Sequence, residues 1–350
     1  MQPQRLVIPE SVRADFAPFF ISPADGPGFR NPWPHPPVPK LTEVLRWKTQ
    51  RNQVRPPDYH VAPITLSHDP WADYAALGDA STRLFWIGHA SFLVELDHNR
   101  FVIDPIFGRA GGVVGRVTPA AATPAQLTDL RAVLVTHGHH DHLDPAALRA
   151  LAEVNEQPWF VVPRGLAKAL PRQCQRVIEL DWWHYVEIAG TRVCLVPAQH
   201  WHRRSAFDQN RALWGGYVLE GTHRVFHSGD TGYFPGFLPI GRVFGGIDAA
   251  CLPLGAYEPR WFMGAQHMAP EQSLDALAEL AATHFVGMHW GAYDLSDEPL
   301  DAGPRLVLAQ AAQRELGAER LHVLRPGGSL GLHGARGTTI ADVRGRYEPT

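Results

Sequence analysis

The chain has 350 residues, 45% hydrophobic and 19% charged, so it is globular rather than disordered and sized for one large domain or about two. A net charge of −3 supplies no basic field for nucleic acid, and three widely spaced cysteines (Cys174, Cys194, Cys251) give neither a disulfide framework nor a cysteine-based zinc motif. No secretory signal pattern and no run of about 18 apolar residues is found, so the expected setting is reducing and cytoplasmic, with contact at a membrane surface left open.

In chain order, residues 1 to 80 differ from the rest. Pro27 to Pro39 is dense in proline and aromatics, and such a run forms neither an interior helix nor a central strand. It predicts an extended segment wrapping the surface, anchored by Phe29 and Trp33, with a short helix over Leu41–Trp47. Residues 81–350 are then expected to form the main folded domain. Arg83–Ile87, Ser91–Glu95 and Phe101–Ile103 read as short strands divided by turns. Ala132–Thr136 is a buried strand, Pro145–Val154 a helix opened by its proline, Trp159–Val162 a strand, and Gly165–Leu170 a helix. Strands follow at Val177–Leu180, Tyr185–Ile188 and Arg192–Val196, then a hairpin of Tyr217–Glu220 with Val225–Phe226. Asp248–Leu252 and His284–Met288 are strands around a helix at Pro270–Ala282; a helix at Pro304–Leu316 and a strand at Leu321–Leu324 end the series. Each half runs through strands first and then alternates strand with helix. That order predicts an α/β fold of two sheets face to face with helices outside, a four-layer αββα sandwich with a proline-rich N-terminal extension.

The chemistry concentrates after the Ala132–Thr136 strand, in His137-Gly-His139-His140-Asp141-His142. Imidazole and carboxylate are nitrogen and oxygen ligands for a transition metal. In extended chain His137 and His139 point the same way, and Asp141 and His142 turn towards a second position. A solvated loop or an affinity tag is the competing reading; a mid-chain position after a strand, with Gly and Asp interleaved, argues against it. Three later residues share the same placement just beyond an apolar strand: His200, Asp230 and His289. Together they complete two shells: His137, His139 and His200 for one ion, Asp141, His142 and His289 for the other, with Asp230 bridging ions about 3.5–4 Å apart. The donors are all nitrogen and oxygen, so two zinc ions fit, and iron or manganese fit as well. Asp104 and His89 are expected either to orient ligand imidazoles or to serve as ordinary turn and core polar residues.

The pattern His-x-His-x-Asp-His followed by His, Asp and His resembles the metallo-β-lactamase superfamily. The strings Asn31-Pro-Trp33, Trp86-Ile-Gly-His-Ala-Ser-Phe92, Asp104-Pro-Ile-Phe107, Pro197-Ala-Gln-His-Trp201, Gly229-Asp-Thr-Gly-Tyr233 and Gly255-Ala-Tyr-Glu-Pro-Arg-Trp-Phe-Met263 are similar to its N-acyl-phosphatidylethanolamine-hydrolysing phospholipase D family. The resemblance implies the metallo-β-lactamase fold, the same seven metal ligands, and substrate contacts at His140, Gln266 and His267. His140 stands where animal members commonly carry tyrosine, and Arg203 matches a basic position near the amphiphile-binding surface.

The mechanism expected from this is phosphodiester hydrolysis of phospholipase D type. Two ions lower the pKa of a bridging water from 15.7 towards about 7, which supplies a hydroxide nucleophile. Asp141 and Asp230 orient it, while His267 and His140 hold the phosphate. The expected partners are N-acyl-phosphatidylethanolamine or another phosphodiester, a membrane surface and a second copy of the chain, and no nucleic acid. Two competing readings are a hydrolase of the same fold acting on a lactone or soluble phosphodiester, and a non-catalytic binding protein; the complete ligand set opposes the second.

Overall fold

A computed structural model describes residues 1–37, 39, 41–54, 63–337 and 339–349. Two eight-stranded sheets dominate it. In the first, the strands run in the order Gln4–Arg5, His184–Ile188, Thr191–Val196, Gly216–Glu220, Arg224–His227, Ile247–Pro253, Ala282–Met288 and Leu321–His322. In the second, the order is Ile340–Arg346, Leu324–His333, Thr82–Gly88, Ser91–Leu96, Asn99–Ile103, Leu130–Leu134, Trp159–Pro163 and Arg176–Leu180. Each sheet is antiparallel on one side and becomes parallel partway across. The change falls at Asn99–Ile103 in the second sheet and at Arg224–His227 in the first.

The period-2 pattern of each strand sorts its side chains between two layers. Leu84 and Trp86 join the core shared with Val193, Leu195 and Leu219 of the first sheet. Phe85 and Ile87, one residue out of phase, join Leu148 and Leu151 of the helix Pro145–Val154 on the outer face. On the first sheet the helix Pro270–Glu279 packs against strands Ile247–Pro253 and Ala282–Met288. The result is the αββα sandwich that the strand order predicts.

Phe19, Phe20, Phe29 and Trp33 are buried in the main core, with Trp33 stacked on Trp182 and Phe234 at 5.4 and 5.0 Å. Truncating a core aromatic to alanine costs about 3–5 kcal/mol, so these rings hold the segment to the body. The helix after it extends further than its apolar pattern implied, over Leu41–Val54. Val38, Lys40, 55–62, Thr338 and Thr350 lie outside the described residues, and so does that part of the 1–80 extension.

Some elements depart from expectation. Gly165–Leu170 is not a helix but one 3-10 turn at Ala167–Ala169, because Pro171 pushes Leu170 out of the helical region to extended backbone. Helix Phe237–Phe244 and strand Ile340–Arg346 were not expected at all. No helix among the described residues is long and apolar enough to cross a membrane.

Candidate metal centre

The site lies where the strands of both sheets end. Asp104 follows Asn99–Ile103, the histidine-rich loop follows Leu130–Leu134, and Asp230 follows Arg224–His227. His289 directly follows Ala282–Met288. Open α/β sheets place ligand sites outside the carboxyl ends of parallel strands, near the change of strand direction. The turns are sharp: His89, Asp104 and His289 all stand at positive φ (58°, 46° and 58°). For non-glycine residues that conformation is uncommon and costs on the order of 1–3 kcal/mol each, strain held here by the surrounding core.

All seven residues nominated as ligands converge. His137 Nε2 and His200 Nε2 each lie 3.0 Å from His139 Nδ1, and Asp230 Oδ2 is 3.8 Å from His137 Nε2. A second group holds Asp141, His142 and His289, with His89 beside them. His142 Nε2 and His289 Nε2 approach opposite oxygens of Asp230, each at 3.1 Å. In both groups the donor atoms lie within 4.8 Å of one another. Asp230 thus stands between the groups.

The outward nitrogens are fixed from behind. His142 Nδ1 donates to Asp104 Oδ2 at 2.7 Å, and Asp104 is itself held by the backbone N–H and hydroxyl of Thr136 at 2.7 and 2.6 Å. His200 Nδ1 donates to the Gln266 carbonyl at 3.1 Å. His89 Nε2 donates to Asp141 Oδ2 at 3.1 Å. Each bond selects a ring tautomer or carboxylate orientation that leaves the other atom for the centre.

Electrostatics point the same way. Burial, with neighbouring imidazoles, holds His137 and His200 well below the ordinary histidine range, and burial brings His139 down to about 3. These three are therefore neutral imidazoles near pH 7, the form that ligates. Burial raises Asp141 and Asp230, but His142 and the other facing imidazoles outweigh it and hold both carboxyls ionised. Burial lowers His142, yet Asp230, Asp141 and Asp104 lift it well above the usual range.

The residues fit a pair of divalent ions on two grounds. Three neutral imidazole nitrogens aimed at one point cannot all be satisfied by the protons they share. His267 Nδ1 is moreover buried without a hydrogen-bond partner, a cost of about 1–3 kcal/mol unless an ion or substrate takes it up, and His142 Nε2 and His289 Nε2 face only the oxygens of Asp230, at 3.1 Å. All donors are nitrogen and oxygen; Cys174, Cys194 and Cys251 are buried free thiols and take no part.

A cleft of about 290 Å³ opens on the two groups of donors. His139, His140, Asp141, Gln266, His267 and His289 form its polar wall; Trp201, Met263 and Leu295 form an apolar one. His267 Nδ1 is 3.9 Å from Asp230 Oδ2, and burial depresses His267 to about 4. His140 is exposed, with Nε2 3.3 Å from the Arg204 carbonyl. Arg203 does not line the cleft: its Nε donates to the Ser205 carbonyl. Its neighbour Arg204 has the more consequential position, one guanidinium nitrogen donating to the carbonyls of Gly138, His139 and Leu143 and so closing the histidine-rich loop. Nothing local in the sequence separates these two arginines, because the difference lies in contacts some 60 residues away.

A model of the beta-lactamase superfamily domain matches residues 99–290. N-acyl-phosphatidylethanolamine-hydrolyzing phospholipase D 1 of Caenorhabditis elegans is 34% identical over 282 residues, which is 75% of this chain and 78% of that protein. The Saccharomyces cerevisiae protein named N-acyl-phosphatidylethanolamine-hydrolyzing phospholipase D, mitochondrial, is 32% identical over 227 residues, 61% of this chain and 48% of its own. Among solved structures, Igni18, a metallo hydrolase from Ignicoccus hospitalis, shares the fold with a TM-score of 0.55 at 23% identity, over 72% of this chain and 99% of that one. The chain belongs to the metallo-β-lactamase superfamily and stands close to its N-acyl-phosphatidylethanolamine-hydrolysing phospholipase D family.

Proposed function

We propose that this chain is a metal-dependent phosphodiesterase of phospholipase D type, acting on N-acyl-phosphatidylethanolamine or a related phospholipid. The observation that carries the reading is the convergence of seven nitrogen and oxygen donors, from loops of both sheets, at the floor of a cleft with one polar and one apolar wall. The 34% identity to the nematode phospholipase D supports the substrate class.

His137, His139 and His200 would hold one divalent ion and Asp141, His142 and His289 the other, with Asp230 placed between the two groups. Ions so held, zinc foremost with iron or manganese also compatible with the donors, would supply Lewis acidity and lower the pKa of water. The carboxylates of Asp141 and Asp230 orient the attacking water. Its oxygen adds to phosphorus as the bond to the N-acylethanolamine oxygen breaks, and the leaving oxygen takes up a proton. The products are phosphatidic acid and a fatty ethanolamide. His267, neutral at pH 7 and in the cleft wall, donates a hydrogen bond to a phosphoryl oxygen; Gln266 and His140 flank it. Trp201, Met263 and Leu295 receive apolar chain. Trp261 and Phe207, 51% and 92% exposed, stand on the segments bordering the cleft and suit work at a lipid surface, where Arg203 adds positive charge.

The test is a lipid panel incubated with metal-loaded protein and read by mass spectrometry. Fatty ethanolamide and phosphatidic acid are expected from N-acyl-phosphatidylethanolamine. Turnover confined to lactones or soluble chromogenic diesters sinks the lipid reading in favour of another hydrolysis on the same fold. His267→Ala is expected to lose about 100-fold or more in kcat with metal content unchanged, since removing one hydrogen-bond donor to the charge that develops costs about 10²–10³-fold.

A further inference from the structure

We propose that the N-terminal arm, through Asn31 and Trp33, is a positioning element of the metal centre that acts on His200. The inference rests on the metal centre and not on the lipid substrate.

The arm reaches the ligand directly. Asn31 Nδ2 donates to the backbone carbonyl of His200 at 3.1 Å, while its Oδ1 accepts from Trp214 Nε1 at 3.2 Å. Both Asn31 and His200 are buried, so no solvent substitutes for either bond. Two residues on, Trp33 Nε1 donates to Gln199 Oε1 at 3.2 Å. Gln199 is buried and uses its remaining groups to tie the site's other loops together. Its amide nitrogen donates to the carbonyls of Ala265 at 3.0 Å and Tyr233 at 3.4 Å. Its backbone N–H donates to Thr231 Oγ1 at 2.9 Å, and its carbonyl accepts from Gly232 N–H at 2.9 Å.

These bonds fall beside ligands. Thr231 adjoins Asp230, and Ala265 adjoins Gln266, whose carbonyl orients the His200 ring. Gln199 therefore fixes the backbone before His200 and the carbonyl behind it, and the arm fixes Gln199. Trp33 holds its place by stacking on Trp182 and Phe234, a rigid mounting for one N–H. A segment that served only to cover apolar surface would need the indole ring but not the bond to Gln199.

The experiment titrates metal-free protein with Zn²⁺ against a chromogenic chelator, resolving stepwise affinities in wild type, Trp33→Phe, Asn31→Leu, Gln199→Met and His200→Ala. The first three are also combined with His200→Ala. Trp33→Phe keeps an aromatic ring but removes the donor along with part of the ring; Gln199→Met keeps length and removes only the polar head, so a misfolded Asn31→Leu or a cavity at Trp33 leaves the question decidable. Each is expected to weaken the step that His200→Ala weakens, by about 10- to 100-fold, as for other partners that orient a metal ligand. In the His200→Ala background they are expected to add nothing further. Unchanged affinities in Trp33→Phe and Gln199→Met, equal weakening of both steps, or losses that add in full to that of His200→Ala overturn the arm's role. A wild type that takes up no ion overturns the centre with it.

Discussion

Asp104 and the pair His284–His322 show how a buried charge acts at the scale of one residue. Asp104 faces His142 and is met by two bonds from Thr136, so a carboxylate in the core is compensated and puts a histidine to use. His322 is equally buried but has only His284 at 3.1 Å and the Arg346 charge near it. Burial first, then those two neighbours, depress it to about 3. The sign follows. Below the unfolded value of 6.5 the unfolded chain takes up a proton that folded His322 refuses, so stability falls as pH drops from 6.5 towards 3. At about 1.4 kcal/mol per pH unit, the loss between pH 7 and 5 is about 2 kcal/mol from this residue. Urea unfolding of metal-free His322→Gln is expected to show a pH dependence shallower by that amount. Parallel stability curves for variant and wild type would show that the folded protein accommodates the proton after all.

At the scale of elements, the helix Pro145–Val154 starts three residues after His142 and sets where the histidine-rich loop must end. Pro145 supplies its first residue, and Asp144 caps it by accepting from Ala146 N–H at 2.9 Å. Asp144→Ala is expected to cost about 1 kcal/mol in denaturant midpoint terms and Asp144→Ser to recover most of it; equal stability of all three forms removes the cap from the account. This helix was legible because proline, cap and apolar spacing agree. Helix Phe237–Phe244 was not, since Pro239 and Gly241 in its interior argue against a helix. Its glycine answers to packing instead: a Cβ at Gly241 would stand 2.7 Å from the Glu279 carbonyl, so the close approach to helix Pro270–Glu279 requires its absence. Strand Ile340–Arg346 was hidden by its charged, partly exposed edge position beside Leu324–His333. The seven converging donor residues were legible for a local reason, each lying just past an apolar strand. Gln199, Asn31 and Arg204 act through hydrogen bonds spanning between 32 and 183 residues of sequence, and no local pattern carries that.

At the scale of the molecule, each sheet passes from antiparallel to parallel, the chain's first strand joining one sheet and its last two strands the other, and the two sheets meet with their strand ends on one rim. His137, His139, Asp141 and His142 come from the second sheet, and His200, Asp230 and His289 from the first. Ions held by this set would join the two sheets across their shared core. The unfolded chain spreads the same seven side chains over some 150 positions and offers no comparable site, so binding free energy adds to folding free energy. With free ion at 100 times its dissociation constant, one site contributes about 2.7 kcal/mol. For a chain of this size that is a rise in thermal midpoint of at least about 4 °C, and a second ion adds to it. Scanning calorimetry of chelator-treated and zinc-loaded protein is expected to show this difference, and to show less of it in Asp230→Asn, where the residue between the two groups no longer carries its charge. Equal midpoints with and without ions would mean that the donors converge without binding, and the two sheets would then owe nothing of their union to metal.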